Sequence, residues 1–188
     1  MIDVAIRETE ETDLPAILSV YRSAGLDSAR TLSLSEAHVV FQRIKTYPDY
    51  KIFVATHDSA VVGTFALLIM DNLVNGGLPS GIVEDVAVAA EYQGQGVGKE
   101  MMNFALERCR QRGCYKLVLS SNEKRDAAHR FYESLGFVRH GFSFQVNLTA
   151  QPSGSRGFSS GPTRDDTSER VQGSRTLLWR GAPRKSGR

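Results

Sequence analysis

Two adjacent carboxylates, Glu84 and Asp85, stand within an apolar segment that predicts a strand from Ile82 to Val88. A carboxylate beside a substrate is a common general base, because it accepts a proton directly or through water. Since alternate residues of a strand face opposite sides, we expect only one of the two to face a cleft. Glu84 is the first choice and Asp85 the second. A structural pairing with a lysine at a strand edge is the alternative for each.

Three glycines at alternate positions, Gly94, Gly96 and Gly98, separate this strand from a helix predicted over 97–112. A strand that ends in a glycine-rich turn and opens a helix brings several backbone N–H groups together with the positive end of the helix dipole. An anion such as a pyrophosphate binds well at such a point. The turn therefore predicts a binding site for a phosphorylated ligand.

The spacing of the glycines argues against two common phosphate-binding motifs. A P-loop would need glycine where Gln93 stands and a hydroxyl residue where Glu100 stands. The dinucleotide fingerprint would need glycine at the position of Lys99, and it normally opens the first strand-helix unit of a domain. A loop of another kind is indicated.

The elements that must position these residues alternate along the chain. Period-two and helical apolar patterns predict an α/β domain in which helices cover a mixed sheet. Strands are predicted over 2–6, 51–56, 61–70, 82–88, 115–119 and 137–148, the last with a break near His140, and helices over 12–23, 33–46, 97–112 and 126–135.

Composition divides the 188 residues into one domain, 1–149, and a basic tail rich in Gly, Ser and Arg, 150–188. In 151–188, 16 of the 38 residues are Gly, Ser or Pro, which cannot bury enough apolar surface to offset chain entropy. The tail is therefore predicted to be disordered. With few aromatic residues among its arginines, it gives little support for nucleic-acid binding.

Composition also excludes several classes of protein. No stretch approaches the 18 consecutive apolar residues of a membrane span, and the N-terminus lacks the pattern of a secretory signal, so we expect a cytoplasmic protein without membrane contact. Cys109 and Cys114 have neither zinc-ligand nor disulfide-framework spacing, and the four histidines are scattered. No metal site is predicted.

Two separated motifs carry a resemblance to a known family. The segment Gln93–Gly98 resembles the acetyl-CoA loop, Gln/Arg-x-x-Gly-x-Gly/Ala, of the GNAT N-acetyltransferase superfamily. The segment Arg130–Phe137 resembles the later FYExxGF motif of the same family. The resemblance covers about residues 2 to 148 and implies the GNAT fold, a mostly antiparallel mixed sheet flanked by helices. Glucosamine-phosphate and aminoalkylphosphonate N-acetyltransferases look most similar.

The resemblance implies acetyl-CoA as co-substrate. Its pantetheine arm would pair with the backbone of residues 86–88, and its pyrophosphate would take N–H groups from 94–99. Gln93 would contact the phosphates or order the loop, and Lys99 would add charge or lie solvated on the helix. The implied cofactor contacts are Val86, Ala87, Val88, Gln93, Gly94, Gln95, Gly96, Val97, Gly98, Lys99 and Asn122.

The resemblance also assigns chemistry. The amine attacks the thioester directly, a carboxylate at 84 or 85 takes its proton, and Tyr132 matches the family position whose hydroxyl stabilises the departing thiolate. A packing role for this tyrosine beside Phe131 is the alternative.

The predicted function is acetyl transfer from acetyl-CoA to a primary amine of a small molecule. A protein or peptide N-acetyltransferase and a non-catalytic acyl-CoA-binding regulatory module are the alternatives. The resemblance further suggests a homodimer.

Overall fold

Among the residues that the structure describes, five strands lie side by side in chain order and form one sheet. The structure, a computed structural model, describes residues 2–26 and 32–146. The chain up to Phe144 forms one compact unit. The predicted tail, 150–188, and the predicted domain boundary at 149 lie outside the described residues. The strands are β1 (Ala5–Glu8), β2 (Tyr50–His57), β3 (Ala60–Met70), β4 (Ser80–Val88) and β5 (Lys116–Leu119).

The sheet is antiparallel from β1 to β4, and β5 runs parallel to β4. The predicted hairpin is formed by β2 and β3 around Asp58 and Ser59. Both residues have positive φ, at 46° and 67°, which is the left-handed pair that a tight hairpin turn with the right twist requires. The parallel crossover from β4 to β5 passes through a helix, as such connections need. The predicted mixed, mostly antiparallel sheet is confirmed.

In the part of the chain that the structure describes, four α-helices flank the sheet: α1 (Leu14–Ser23), α2 (Leu34–Ile44), α3 (Val97–Gln111) and α4 (Asp126–Ser134). The start of α2 illustrates how local sequence sets a boundary. The Ser33 hydroxyl accepts the Glu36 N–H at 3.3 Å, and the Glu36 carboxylate accepts the Ser33 N–H at 2.9 Å. This reciprocal capping satisfies two N–H groups that the first turn leaves without helical partners.

The two faces of the sheet bury different helices. On one face α3 packs through a large apolar cluster that includes Phe53, Phe65, Met101 and Met102. On the other face α1 packs against β3 and β4, with Val20 buried beside Ala87. The site residues of β4 are therefore positioned by a sheet that is held from both sides.

The strands predicted over 137–148 are not present in the described part of that segment, 137–146. That prediction was wrong for these residues, and 147–148 lie outside the described part. Phe142 and Phe144 alternate with polar residues as in a strand, yet they are 91% and 92% exposed. A strand exists only where another strand accepts its hydrogen bonds, and a period-two pattern does not provide that neighbour.

Candidate active site

A bulge interrupts β4 at the predicted carboxylates. Thr64 pairs with Ala87 and Ala66 pairs with Glu84, so Asp85 and Val86 together oppose one residue of β3. Two residues against one is the defining geometry of a β-bulge. Asp85 has φ +53°, a left-handed conformation that is uncommon for a residue with a side chain. Backbone strain of this kind is concentrated at functional sites.

The bulge changes which way the two carboxylates face. Val83 and Val86 both pack against the apolar cluster under α3, although they are three residues apart. In a regular strand such a separation would put them on opposite faces. The two residues between them, Glu84 and Asp85, are consecutive exposed positions. The inserted residue thus shifts the alternation on which the expectation for a single cleft-facing carboxylate rested, and which carboxylate faces the substrate stays a prediction.

The two carboxylates influence each other. Partial burial raises the pKa of Glu84, and the neighbouring charge of Asp85 raises it further. Glu84 keeps solvent access, so it can exchange protons with water. A carboxylate whose pKa is moved upward toward neutrality is better matched to taking a proton from an ammonium than an ordinary surface glutamate.

Two tyrosines that sequence reasoning missed face this carboxylate pair. Burial and then the charge of Asp85 raise the pKa of Tyr21, and the nearby Thr64 side chain opposes this rise. Burial, then Asp85, then Glu84 raise the pKa of Tyr50. Both phenols therefore stay protonated and neutral beside the carboxylates. The structure brings together a small polar cluster of two carboxylates and two phenols.

Thr64 lies beside Tyr21. The Thr64 hydroxyl is fully buried and donates to the backbone carbonyl of Phe53 at 2.9 Å. The only sequence signal for Tyr21 was a phenol within the buried stripe of α1, next to Val20, and that pattern is equally typical of a core tyrosine.

β4 and β5 pair along only part of the length of β4. In the described residues the parallel pairing runs from Ser80 with Lys116 to Val83 with Leu119. β4 continues to Val88 while β5 ends at Leu119. The described pairing with β5 therefore stops before residues 86–88 of β4. The predicted cofactor contacts Val86, Ala87 and Val88 lie on this part of the strand.

The glycine-rich loop follows β4 directly and leads into α3. Gly94 has φ +75° and Gly96 has φ +97°, conformations that glycine adopts without steric cost. The Gln93 side chain donates to the Val88 carbonyl at 3.0 Å, and the Gln95 side chain donates to Glu91 at 2.7 Å. The bond from Gln93 is of the kind that a loop-ordering role requires, and the contact of Gln93 with the phosphates stays a prediction.

The start of α3 presents the amides that an anion would use. The backbone N–H of Glu100 donates to the Gly96 carbonyl at 3.1 Å and so begins the helical ladder. The amides of Val97, Gly98 and Lys99 precede it, at the positive end of the helix dipole. The Lys99 side chain is exposed, and its contribution to binding stays a prediction.

Gly98 has a packing role that the loop motif does not reveal. A Cβ built on it would lie 3.2 Å from Cζ of Phe131 in α4. The start of α3 and the helix that carries the second motif are therefore in close contact. The two motifs that the sequence analysis identified separately meet at this point.

Tyr132 lies in α4 among aromatic rings, with centroid distances of 5.1 Å to Phe131 and 5.8 Å to Phe137. It is partly buried, and burial raises its pKa although Arg125 opposes this. A phenol that stays protonated is a hydrogen-bond donor. Both predicted roles, packing and proton donation, are compatible with this environment.

Asn122 precedes α4 and orders the turn that starts it. Its side-chain oxygen accepts the Lys124 N–H at 2.9 Å, and its carbonyl contacts the His129 ring at 3.0 Å. Cofactor binding by Asn122 stays a prediction.

Comparison with known proteins identifies the family to which this fold belongs. A model of the acetyltransferase (GNAT) family matches residues 16–137. The glucosamine 6-phosphate N-acetyltransferase of Trypanosoma brucei brucei is 34% identical over 149 residues, covering 79% of this chain and 98% of the relative. The aminoalkylphosphonate N-acetyltransferase of Salmonella typhimurium is 31% identical over 101 residues, covering 54% and 65%. The crystal structure of a Trypanosoma brucei acetyltransferase superposes with a TM-score of 0.67 at 32% identity, covering 78% of this chain and all of that one.

The chain therefore belongs to the acetyltransferase (GNAT) family, and its mixed sheet with flanking helices is the fold of that family. It is an N-acetyltransferase. Within residues 2–26 and 32–146, no helix has the length and hydropathy that crossing a bilayer requires. The same residues contain no group of three or more side chains suited to hold a metal ion.

Proposed function

We propose that this N-acetyltransferase moves the acetyl group of acetyl-CoA to a primary amine of a small molecule, by direct attack of the amine on the thioester. The observation that carries the proposal is the bulge, which turns Glu84 and Asp85 to one side of β4 beside the strand edge. The proposed base therefore lies next to the strand edge that would bind the acetyl donor. No protein nucleophile is needed for this reaction.

The residues present fit acetyl-CoA. Glycines at 94 and 96 and the amides of residues 97–99 lie at the positively polarised start of α3, which suits a pyrophosphate. The edge of β4 at residues 86–88 suits the amides of a pantetheine arm, which would add to it as a strand does. When bound, acetyl-CoA supplies an activated acetyl group. The backbone N–H near Val86, displaced by the bulge, would polarise the thioester carbonyl.

Glu84 is the proposed general base. An amine arrives mostly as an ammonium and must lose a proton before it can attack. The raised pKa of Glu84 favours that transfer, and the Asp85 charge attracts the cation. Tyr21 and Tyr50 surround the same point and provide phenol hydroxyls and ring faces, both of which bind ammonium groups. Tyr132 is the proposed proton donor to the departing thiolate.

An amino sugar phosphate is the first substrate to test. The Trypanosoma brucei brucei glucosamine 6-phosphate enzyme aligns over 98% of its own length with this chain. An aminophosphonate is the second substrate to test, since the Salmonella typhimurium relative is named as an aminoalkylphosphonate N-acetyltransferase. Both are small primary amines that carry a phosphorus oxyanion.

The test is a thiol-release assay of the purified chain with acetyl-CoA and a panel of amines. The panel contains glucosamine 6-phosphate, unphosphorylated glucosamine, an aminoalkylphosphonate, a polyamine and a peptide with a free N-terminus. Amine-dependent CoA release that falls in both Glu84→Gln and Tyr132→Phe supports the proposal. Release with the peptide alone would favour the protein-acetyltransferase alternative. Tight acetyl-CoA binding without turnover on any amine would favour the regulatory binding module.

We further propose that the chain works as a cytoplasmic homodimer. Both cysteines are free thiols, which suits a reducing compartment. Val138, Phe142 and Phe144 expose 81% to 92% of their surface, and a second copy would cover them. Light scattering on the purified chain tests this: a monomer mass at micromolar concentration would contradict it, and replacing both phenylalanines with serine should dissociate a dimer.

A further inference from the structure

The C-terminal end of α3 brings the two cysteines of the chain together. The Cys114 N–H donates to the Cys109 carbonyl at 2.9 Å, and the Gly113 N–H donates to the Arg110 carbonyl at 3.0 Å. Gly113 has φ +69°. These features define a Schellman motif, which ends a helix and typically brings the side chains of its first and sixth residues into contact. Here that contact pair is Cys109 and Cys114.

The two thiols occupy different environments. Cys109 is 4% exposed and lies against the backbone of Gly81 in β4, while Cys114 is only partly buried. Burial raises the pKa of the Cys109 thiol to about 12, and the neighbouring Cys114 raises it as well, so the two sulfurs interact. Cys109 therefore stays a neutral thiol at physiological pH. Cys114 is the thiol that dissolved reagents reach first.

We propose that Cys109 and Cys114 form a reversible intramolecular disulfide, which makes this helix end an oxidative modification site. The oxidant class is a hydroperoxide. The Cys114 thiolate attacks one oxygen of hydrogen peroxide and releases hydroxide, which gives a sulfenic acid. The Cys109 sulfur then attacks the sulfenic sulfur, the S–S bond forms, and the leaving hydroxyl departs as water with the Cys109 proton. Two thiols and one peroxide thus give one disulfide and two waters.

The bond would join the end of α3 to the residue just before Tyr115 and β5. Because the motif already holds Cys109 and Cys114 in backbone contact, little rearrangement of the main chain is required. The site uses none of the residues placed in acetyl transfer, so its test does not depend on the proposed function.

The experiment treats the reduced full-length chain with hydrogen peroxide, blocks free thiols with iodoacetamide and digests with trypsin. Cleavage after Arg108, Arg110, Arg112 and Lys116 separates Cys109 and Cys114 into the peptides 109–110 and 113–116. We expect these two peptides linked by a disulfide, an intact mass lower by two hydrogens, and full reversal by dithiothreitol. Two thiols that remain open to alkylation would overturn the proposal, as would oxidation that stops at a Cys114 sulfinic acid or disulfides only between chains.

A backbone variant tests whether the helix end is what aligns the thiols. Gly113→Ala puts a side chain at the left-handed position and should slow disulfide formation severalfold. Gly136→Ala is the matched control, because Gly136 has φ +88° just after α4, where there is no cysteine. Circular dichroism verifies that both variants fold. Equal oxidation rates in the two glycine variants would show that the motif does not position the pair, and would overturn that part of the proposal.

Discussion

Glu84 and Asp85 are sequence neighbours that share one face of β4, whereas neighbours in a regular strand face opposite sides. The bulge is responsible, since Val83 and Val86 on either side both pack under α3. Two carboxylates close together cannot ionise independently, and the pKa of Glu84 is raised in part by Asp85. This relationship leads to the first prediction.

Asp85→Asn should move the acidic limb of the kcat/KM pH profile to lower pH. The Asp85 charge raises the pKa of Glu84, so removing the charge lowers that pKa and keeps the base deprotonated in more acidic solution. Glu84→Gln should remove the limb and lower kcat/KM by about 10²- to 10⁴-fold. The profile is measured with saturating acetyl-CoA. An acidic limb that stays in place or moves to higher pH in Asp85→Asn would contradict the assignment.

Substitutions at Asp85 should also report the backbone strain of the bulge. With φ +53°, a Cβ at this position costs about 1 kcal/mol relative to glycine, so Asp85→Ala should be less stable than Asp85→Gly by that amount. Glu84→Ala and Glu84→Gly are the matched controls. At an ordinary strand position the glycine variant is less stable than the alanine variant. Urea unfolding of the four variants measures the free energies. The prediction would be refuted if the alanine variant were the more stable of the two at both positions, or if the glycine variant were.

Tyr132→Phe should lower kcat by about 10²-fold and leave the KM for the amine nearly unchanged, because the phenol donates to the thiolate only as it departs. Burial raises the pKa of Tyr132, so the donor is protonated throughout the neutral range. Tyr115→Phe is the control, because Tyr115 is 38% exposed and its ring contacts Lys116, which has no role in the proposed reaction. Steady-state kinetics distinguishes the roles: a change in thermal stability with an unchanged kcat would mean that Tyr132 only packs.

Gly98→Ala should destabilise the protein by about 1 to 3 kcal/mol and raise the KM for acetyl-CoA, because its Cβ would press on the Phe131 ring and displace the start of α3. Phe131→Leu in the same chain removes the ring and should restore part of both losses. A double-mutant cycle on unfolding free energy and on KM measures the coupling. Strictly additive effects would show that the two residues do not press on each other.

Local patterns predicted most of the fold. The hairpin of β2 and β3, the capping box at Ser33 and the glycine that follows α4 are all encoded within a few residues, and each is present. The extended segment after α4 is the exception. Its alternation of Phe142 and Phe144 predicts a strand, but among residues 137–146 no strand is formed.

The candidate site was predicted only in part. Glu84, Asp85 and Tyr132 could be chosen because a family motif or a rare pair of charges in an apolar strand marks them. Tyr21 and Tyr50 could not be chosen, since each is an ordinary aromatic residue of an amphipathic element. Their proximity to Asp85 arises from the packing of α1 on β3 and β4 and from the register of β2.

The sequence by itself determined the class of the protein, because glycine spacing, helix caps and apolar periodicity act within one or two turns of chain. Only the tertiary structure decided that Glu84 and Asp85 face the same way. A bulge is a mismatch in length between two paired strands, so it depends on both of them. The sequence around Asp85 predicts a regular strand, and only its pairing with Thr64 and Ala66 of β3 shows the extra residue.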